Sequence, residues 1–146
     1  MSASPDQKKM EEHIREALDY RVKAPDSIGA MLDFELIDCN SEAGEATLSH
    51  LIHEREINIY GTLHGGIITW LMDSAMGIMA RAYTGHDVLV TLDIHVHFLK
   101  AIHAGDKVII KAHVTHAGRK VINTTSELFV NNELSATADA IFYNVN

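Results

Sequence analysis

The feature that most constrains this chain is a long apolar segment from His64 to Tyr83. Apart from two glycines at its start and Gly77, its apolar side chains fall on nearly all sides of a helix. A helix that is apolar all round has to be buried by the rest of its domain. Thr69, Asp73 and Ser74 interrupt the segment, and it is too short to span a bilayer. The sequence therefore predicts one long buried helix against which the other elements pack.

A run of alternating residues follows this helix and indicates a strand. One apolar face is predicted to consist of Val88, Val90, Leu92, Ile94, Val96 and Phe98. Turn residues at 104–106, 117–119 and 131–132 separate further strands. The strands are expected near Met31–Asp38, Gly44–Leu51, Lys107–His116, Lys120–Val130 and Leu134–Asn144. A buried helix followed by an antiparallel meander predicts an α+β domain whose sheet wraps around the helix.

A separate helix is predicted near the start of the chain. Ser4 suits the N-cap, Pro5 suits the first helical position, and Gln7 is placed for a capping box. Its apolar face would contain Met10, Ile14, Ala17, Leu18 and Val22. A proline at position 25 would end this helix. We therefore expect one domain over residues 1–146, with this helix within residues 1–24 and the core within residues 28–144.

Charge and cysteine content exclude several classes of protein. Twenty Asp and Glu against twelve Lys and Arg give a formal net charge of −8, so a broad basic surface for nucleic acid is not expected. An anionic ligand would need a local cationic site instead. Cys39 is the single cysteine, which rules out an intrachain disulfide. The first residues lack the apolar region of a signal peptide. We expect a soluble, cytoplasmic protein without a membrane segment.

Asp73 is the most informative candidate for chemistry, because a carboxylate inside an apolar helix is costly unless it is paired or functional. A core aspartate satisfied by local hydrogen bonds is the alternative. At the start of the same helix, Gly65 and Gly66 follow His64 and leave backbone N–H groups open to a ligand. The helix dipole favours negative charge there, which suits an oxyanion. An ordinary glycine-rich helix start is the alternative.

The spacing of these two features limits how they can act together. Gly65 and Asp73 are eight residues apart, which corresponds to ~12 Å along a helix axis. A nucleophile and a carbonyl carbon must approach to roughly 3–3.5 Å, so one helix does not easily hold both groups against one substrate. Two antiparallel copies would bring Gly65 of one chain opposite Asp73 of the other. The spacing therefore favours a dimer.

The segment from Asn58 to Asp73 reads Asn-Ile-Tyr-Gly-Thr-Leu-His-Gly-Gly-Ile-Ile-Thr-Trp-Leu-Met-Asp. Its Asn…Gly…His-Gly-Gly…Asp pattern resembles the hotdog-fold thioesterases of the PaaI and acyl-CoA thioesterase 13 group. The similarity continues through residues 90–93, 104–106 and 118–120, and so covers about residues 28–144. It implies a hotdog fold and hydrolysis of an acyl-CoA to free acid and coenzyme A. It also implies a homodimer, often assembled further as a dimer of dimers.

The resemblance implies a role for each matched residue. Asp73 would be the general base or the nucleophile, and Thr91, where some relatives have Ser, would help to hold the attacking water. Asn58 would orient the thioester or the water from the other subunit. The Gly65 amide would polarise the carbonyl, and His64 would brace the turn or assist the carbonyl. No metal or organic cofactor is implied.

Further residues are candidates for substrate binding. Gly118, Arg119 and Lys120 lie on a predicted turn, where adjacent cations in an acidic protein suit the phosphates of coenzyme A. A solvated turn is the alternative. Gly66 would lie beside the substrate carbonyl, and Met76 is a candidate wall for the acyl group.

Ten histidines raise the question of a metal site. His95, His97 and His113 would form an imidazole cluster if their strands were neighbours. Because no acidic or cysteine partner occurs at a familiar ligand spacing, we expect no metal site.

Two alternatives to hydrolysis stay open. A hotdog hydratase or dehydratase lacks support because no proline-rich His loop is present, and a non-catalytic acyl-CoA-binding module would not need the intact site residues.

Overall fold

A computed structural model describes residues 3–19 and 23–146. Its elements, in chain order, are α1 (Gln7–Leu18), β1 (Glu35–Asn40), β2 (Glu45–Leu51), α2 (Gly65–Thr84), β3 (Leu89–Phe98), β4 (Lys107–Ala117), β5 (Val121–Val130) and β6 (Glu133–Asn144). Short 3-10 turns cover Ile28–Met31 and Glu54–Glu56. The strands form one antiparallel sheet in the order β1-β2-β4-β5-β6-β3, so β1 and β3 are its edges. This confirms the predicted α+β class and the hotdog arrangement of sheet and helix.

Helix α2 forms the centre of the core, as its all-round apolar pattern predicted. His64 is its N-cap, and Gly85 ends it with a φ of 74°, a left-handed conformation that glycine adopts without strain. The buried side chains on α2 are Ile68, Leu71, Met72, Ala75, Met76, Met79, Ala80, Ala82 and Tyr83. No helix among the described residues has the length and apolar character needed to cross a membrane.

The inner face of the sheet covers α2 with alternate residues of each strand. On β4, for example, Val108, Ile110 and Ala112 are fully buried, whereas the residues between them are at least partly exposed. The β5–β6 connection confirms a predicted turn, because Asn131 and Asn132 have φ values of 50° and 64°. Two successive positive φ angles are typical of the two-residue turns that match the twist of a hairpin.

Strand β3 differs from the simple alternation that the sequence predicted. Its pairing with β6 shifts register between Thr91 and Asp93, which leaves Leu92 as an extra residue at a bulge. Ile94 and Val96 beyond the bulge pack against the core as predicted, but before it the inward positions are Leu89 and Thr91. The prediction that Val88, Val90 and Leu92 share one face of the strand with Ile94 and Val96 is therefore wrong. The bulge also brings Thr91 onto the helix side of the sheet.

The start of the chain also differs in detail. The N-cap of α1 is Asp6, whose Oδ2 accepts a hydrogen bond from the Lys9 amide at 3.0 Å, so the predicted cap at Ser4 is two residues too early. A carboxylate suits this end of the helix dipole. Met10 and Ile14 are fully buried, as predicted. The predicted apolar residue Val22 lies outside the described residues.

Strand β1 starts four residues later than predicted. The predicted start at Met31 instead ends a 3-10 turn, in which the Leu32 amide donates to the carbonyl of Gly29 at 3.1 Å. The chain then reaches β1 at Glu35. Of the intervening residues, Leu32 and Phe34 line the cleft of the site described next.

Candidate active site

Asp73 and Thr91 meet where the third turn of α2 faces the bulge of β3. The Thr91 hydroxyl donates a hydrogen bond to Asp73 Oδ1 at 2.8 Å. Asp73 is half-buried, and this burial raises the pKa of its carboxyl above the ordinary value of 3.8, while the Thr91 hydrogen bond lowers it in part. The structure thus brings together two residues that the sequence predicted for one site. A carboxylate with a raised pKa and one free oxygen is suited to accept a proton.

An apolar cleft of about 370 Å³ opens beside this pair. Its walls include apolar side chains from both helices, from the segment before β1, from β3 and from β6: Ala17, Leu18, Leu32, Phe34, Ile78, Leu89 and Phe142. The contribution of Ala17 and Leu18 gives α1 a place in the candidate site. An apolar cleft with a few polar groups on one side is the usual form of a small-molecule site.

Sequence reasoning missed a stripe of α2 that lines the cleft. Ser74, Gly77, Ile78 and Arg81 lie there together with Asp73. Their spacing of three and four residues was a readable signal, because such residues share one face of a helix. Met76 does not belong to this stripe. It is fully buried in the core, and Gly77 and Ile78 form the cleft wall at that turn instead.

The start of α2 forms a second candidate group. His64 Nδ1 accepts a hydrogen bond from the Gly66 amide at 2.8 Å, so its ring braces the turn, which is one of the two roles that the resemblance implied. A Cβ at Gly66 would lie 3.0 Å from atoms of the His64 ring, so a larger residue there would press on the capping side chain. The Gly65 amide has no acceptor among the described residues. An unpaired N–H at a helix start can donate to an anionic oxygen.

Asn58 shapes the loop that precedes α2. Its Oδ1 accepts from the amides of Tyr60 at 2.9 Å and Thr62 at 3.1 Å, and its Nδ2 donates to the Thr62 hydroxyl at 3.0 Å. At the tip of this loop, Ile59 is 92% exposed and Tyr60 is 83% exposed. Asn58 is thus held in a fixed orientation, while two large side chains beside it project away from their own chain.

Within one chain, the two groups lie apart. Gly65 lines a different depression of about 320 Å³, together with Thr62, Ile68 and Phe98. Neither Gly65 nor Asn58 lines the cleft that contains Asp73. The structure therefore unites Asp73 with Thr91 and places His64 and Gly65 together, but it does not bring the two groups together in one chain. This agrees with the separation expected from the spacing on the helix.

The predicted phosphate site lies at the far end of α2. Arg119 is exposed and lines a depression with Thr84 and His86, close to the helix C-terminus. A Cβ at Gly118 would lie 2.9 Å from the carbonyl oxygen of Val121, so this tight turn requires glycine. Lys120 is less available, because its Nζ donates to the backbone carbonyl oxygens of Asn144 at 3.3 Å and Asn146 at 2.7 Å.

The imidazole cluster considered from the sequence does not form. β5 and β6 separate β3 from β4, so His113 is not on a strand next to His95 and His97. His95 instead lies 3.6 Å from Asp93 and 3.7 Å from Asp139 on the exposed face. A different group of titratable residues, around the buried His50, escaped sequence reasoning.

The antiparallel sheet packed on one long helix is the arrangement of the hotdog fold, and this chain adds a carboxylate within that helix and glycines at its start. The chain belongs to the thioesterase superfamily, whose family model matches residues 60–136.

Individual relatives agree with this assignment. The chain is similar to acyl-coenzyme A thioesterase 13 of Mus musculus, with 27% identity over 82% of this chain and 84% of the relative. Among solved structures it resembles zebrafish thioesterase superfamily member 2, with a TM-score of 0.78, 22% identity, and coverage of 88% and 95% of the two chains. The E. coli PaaI protein matches with a TM-score of 0.77, 17% identity, and coverage of 94% and 96%. These solved structures share the fold.

Proposed function

We propose that this protein hydrolyses an acyl-CoA thioester to the free acid and coenzyme A. The observation that carries the proposal is the Asp73–Thr91 pair at the wall of an apolar cleft. The relative in Mus musculus is named for acyl-coenzyme A hydrolysis. A Streptococcus mutans protein of the same fold, with a TM-score of 0.69 and 22% identity over 77% of this chain and 88% of its own, was solved bound to acetyl-CoA. Both support an acyl-CoA substrate.

In this proposal Asp73 supplies the base. Its ionised carboxylate takes a proton from a water molecule as the water oxygen attacks the thioester carbonyl carbon. The tetrahedral intermediate then collapses, the C–S bond breaks, and the coenzyme A sulfur receives a proton. If Asp73 attacks directly, it forms a mixed anhydride that water hydrolyses afterwards. Both routes need an ionised Asp73, and the Thr91 hydroxyl holds Oδ1 in place in either case.

The carbonyl oxygen would be stabilised by the start of α2 of a second chain. Strand β3 is a sheet edge, and its Val90, Leu92 and Phe98 are 42%, 60% and 55% exposed. A long edge with exposed apolar side chains is a surface suited to pairing with another strand. A two-fold axis between Ile94 and His95 would place Thr91 of one chain opposite Phe98 of the other. Phe98 lies beside Gly65, so such a homodimer would complete the site.

The activity is tested by following free thiol released from a panel of acyl-CoA substrates with a thiol reagent. We expect turnover of at least one aryl or aliphatic acyl-CoA, with Asp73→Asn protein as the inactive control. The apolar side chains of the cleft wall are the reason to expect an apolar part in the acyl group. Saturable binding of acyl-CoA without thiol release would instead identify a non-catalytic binding protein and overturn the proposal.

We further propose that Arg119 contacts the phosphates of coenzyme A. Arg119→Ala should raise KM for acyl-CoA at least about threefold at low ionic strength with little change in kcat, because such contacts bind substrate and transition state alike. Lys120→Ala should have a smaller effect, since its Nζ is already engaged by two backbone carbonyls. The difference in KM between each variant and the wild type should shrink as salt is added. Steady-state kinetics at two salt concentrations measure both effects.

Lys111→Ala is the matched control for this prediction. Lys111 is an exposed cation on β4, outside both the cleft and the turn that contains Arg119. If Lys111→Ala raises KM as much as Arg119→Ala does, only the total charge of the protein matters. An unchanged KM for Arg119→Ala at low salt would show that the phosphates bind elsewhere.

A further inference from the structure

A compact group of acidic and imidazole side chains lies outside the candidate active site. It consists of Asp33, His50, His53 and Glu56, and is called the Asp33 cluster below. Asp33 lies between the first 3-10 turn and β1, and His50 lies on β2. His53 precedes the second 3-10 turn, and Glu56 is the last residue of that turn. The coordinating atoms of Asp33, His50 and His53 all lie within 4.8 Å of one another. Three separate parts of the chain therefore converge on one point.

The contacts within the Asp33 cluster are specific. The buried ring of His50 places Nδ1 against Asp33 Oδ1, and its Nε2 lies 2.9 Å from Glu56 Oε2. The other Asp33 oxygen, Oδ2, lies 2.9 Å from His53 Nε2. Glu56 is itself fixed, because its Oε1 accepts from the His53 backbone amide at 2.7 Å. His50 is thus held between two carboxylates, and one of these carboxylates is shared with His53.

The contact between His50 and Asp33 marks the position at which a cation is needed. Nδ1 of His50 lies against Asp33 Oδ1, and both atoms are buried. His50 is only 2% exposed, so bulk water does not reach its ring. A buried carboxylate oxygen against a ring nitrogen needs a positive charge at this point, supplied by a proton on the ring or by a metal ion in its place. In the tautomer whose Nε2–H donates to Glu56, Nδ1 has a lone pair for a metal ion.

The charge of the cluster favours a divalent cation. The carboxylates of Asp33 and Glu56 contribute two negative charges to the cluster. Among the described residues, no lysine or arginine forms an ion pair with either carboxylate. Imidazole nitrogens with a carboxylate oxygen are common ligands of Zn²⁺. A carboxylate that accepts the other ring N–H of a ligating histidine, as Glu56 does for His50, is a usual support for such a site.

We propose that the Asp33 cluster binds one divalent transition-metal ion of the Zn²⁺ type, with His50 Nδ1, His53 Nε2 and an Asp33 carboxylate oxygen as ligands. The side chains of Asp33 and His53 are 30% and 32% exposed, which leaves a path for the ion and room for water as fourth ligand. Ligand atoms around tetrahedral Zn²⁺ lie about 3.3 Å apart. Binding would therefore require only small movements of the two partly exposed side chains.

Such an ion would stabilise the segment that leads to the candidate active site. The Glu56 carbonyl accepts a hydrogen bond from the His64 amide at 3.0 Å, and Ile57 pairs with Leu63 in an isolated antiparallel bridge. The loop with Asn58 lies between these contacts. The proposed ion has no part in the chemistry of Asp73, so the metal site and the proposed hydrolysis can succeed or fail independently.

The test is a zinc titration of the full-length protein after treatment with a chelator and removal of that chelator. Calorimetry should show one Zn²⁺ bound per chain. The melting temperature should rise by at least about 5 °C when free zinc is 100-fold above its Kd. Co²⁺ in place of Zn²⁺ should give the visible absorption of a four-coordinate site. The absence of saturable binding would overturn the proposal and leave a protonated His50 as the cation of the cluster.

Three variants locate the ion. His53→Gln removes a partly exposed ligand, so the apoprotein should keep its fold, and its zinc affinity should fall more than that of Glu56→Gln. Glu56→Gln, which weakens the support of His50, should lose about 10–100-fold in affinity. His95→Gln is the control, since His95 is an exposed histidine with two nearby carboxylates, and its affinity should not change. Unchanged binding by His53→Gln, or loss in His95→Gln instead, would show an adventitious surface site and overturn the assignment.

Discussion

Asp73→Asn should lower kcat for acyl-CoA hydrolysis by at least about 100-fold, the usual scale for the loss of general-base catalysis. Asparagine has nearly the same shape and keeps an oxygen that can accept the hydrogen bond from Thr91, 2.8 Å away in the native pair. It cannot accept a proton from water or form an anhydride. The substitution therefore removes the chemistry while preserving the contact that orients the side chain. Steady-state kinetics measure this effect.

An aspartate with a purely structural role would behave in the opposite way. Its replacement would reduce stability strongly and kcat only modestly. Measuring kcat and the melting temperature on the same preparation separates these outcomes, and near-wild-type turnover would contradict the proposed mechanism. Asp38→Asn is a matched control, because it makes the same substitution at an exposed position on the far edge strand β1. It should change neither quantity appreciably.

The pH dependence of stability gives a second readout for the same variant. Burial raises the pKa of Asp73 in the folded protein above its ordinary value of 3.8, so the folded state binds this proton more tightly than the unfolded state. The free energy of unfolding of the wild type should therefore fall, relative to Asp73→Asn, as pH rises from 3.8 through the raised pKa. The melting temperature of the variant should exceed that of the wild type by more at pH 7 than at pH 4. Activity should rise over the same range, because the base must be ionised.

Much of the fold could be predicted because the signals are local. A helix with apolar residues on all sides must be buried. Strands in which apolar and polar residues alternate, separated by turn residues, predict an antiparallel meander. The bulge at Leu92 could not be predicted in this way. It arises from the pairing of β3 with β6, two strands that are distant in the sequence, and the alternation of Val88 to Phe98 runs through it without interruption. This one extra residue decides that Thr91 faces Asp73.

The candidate site shows the same division between local and distant information. His64 as the helix cap and the separation of Gly65 from Asp73 follow from positions on one helix, so sequence reasoning reached both. The Asp33 cluster combines residues from three segments that only the sheet brings together. Its regular His50, His53, Glu56 spacing was visible in the sequence, but nothing local indicated that the segment before β1 would supply a carboxylate.

Mixing two impaired variants should restore activity if the active site is shared between chains. The parents are Asp73→Asn and Asn58→Asp. The second substitution keeps the Asn58 oxygen that accepts from the Tyr60 and Thr62 amides but removes the Nδ2 donor. With random exchange, about half of the dimers are hybrids, and each hybrid has one site with both native residues. Activity should therefore rise from a few per cent or less to about one quarter of wild type.

A second mixture tests whether the recovery depends on the proposed arrangement. Thr91 and Asp73 contact each other within one chain, so mixing Asp73→Asn with Thr91→Val leaves every site of a hybrid with one substitution. The activity of this mixture should stay at the average of the activities of the two parent variants. Native mass spectrometry of differently tagged chains verifies exchange in both mixtures and shows whether two dimers associate further. Absence of recovery with Asn58→Asp despite exchange would mean that each chain holds a complete site. Equal recovery with Thr91→Val would show that the recovery does not depend on the proposed arrangement. Because Gly65 and Asp73 line separate depressions of one chain, recovery in the first mixture alone is the expected result.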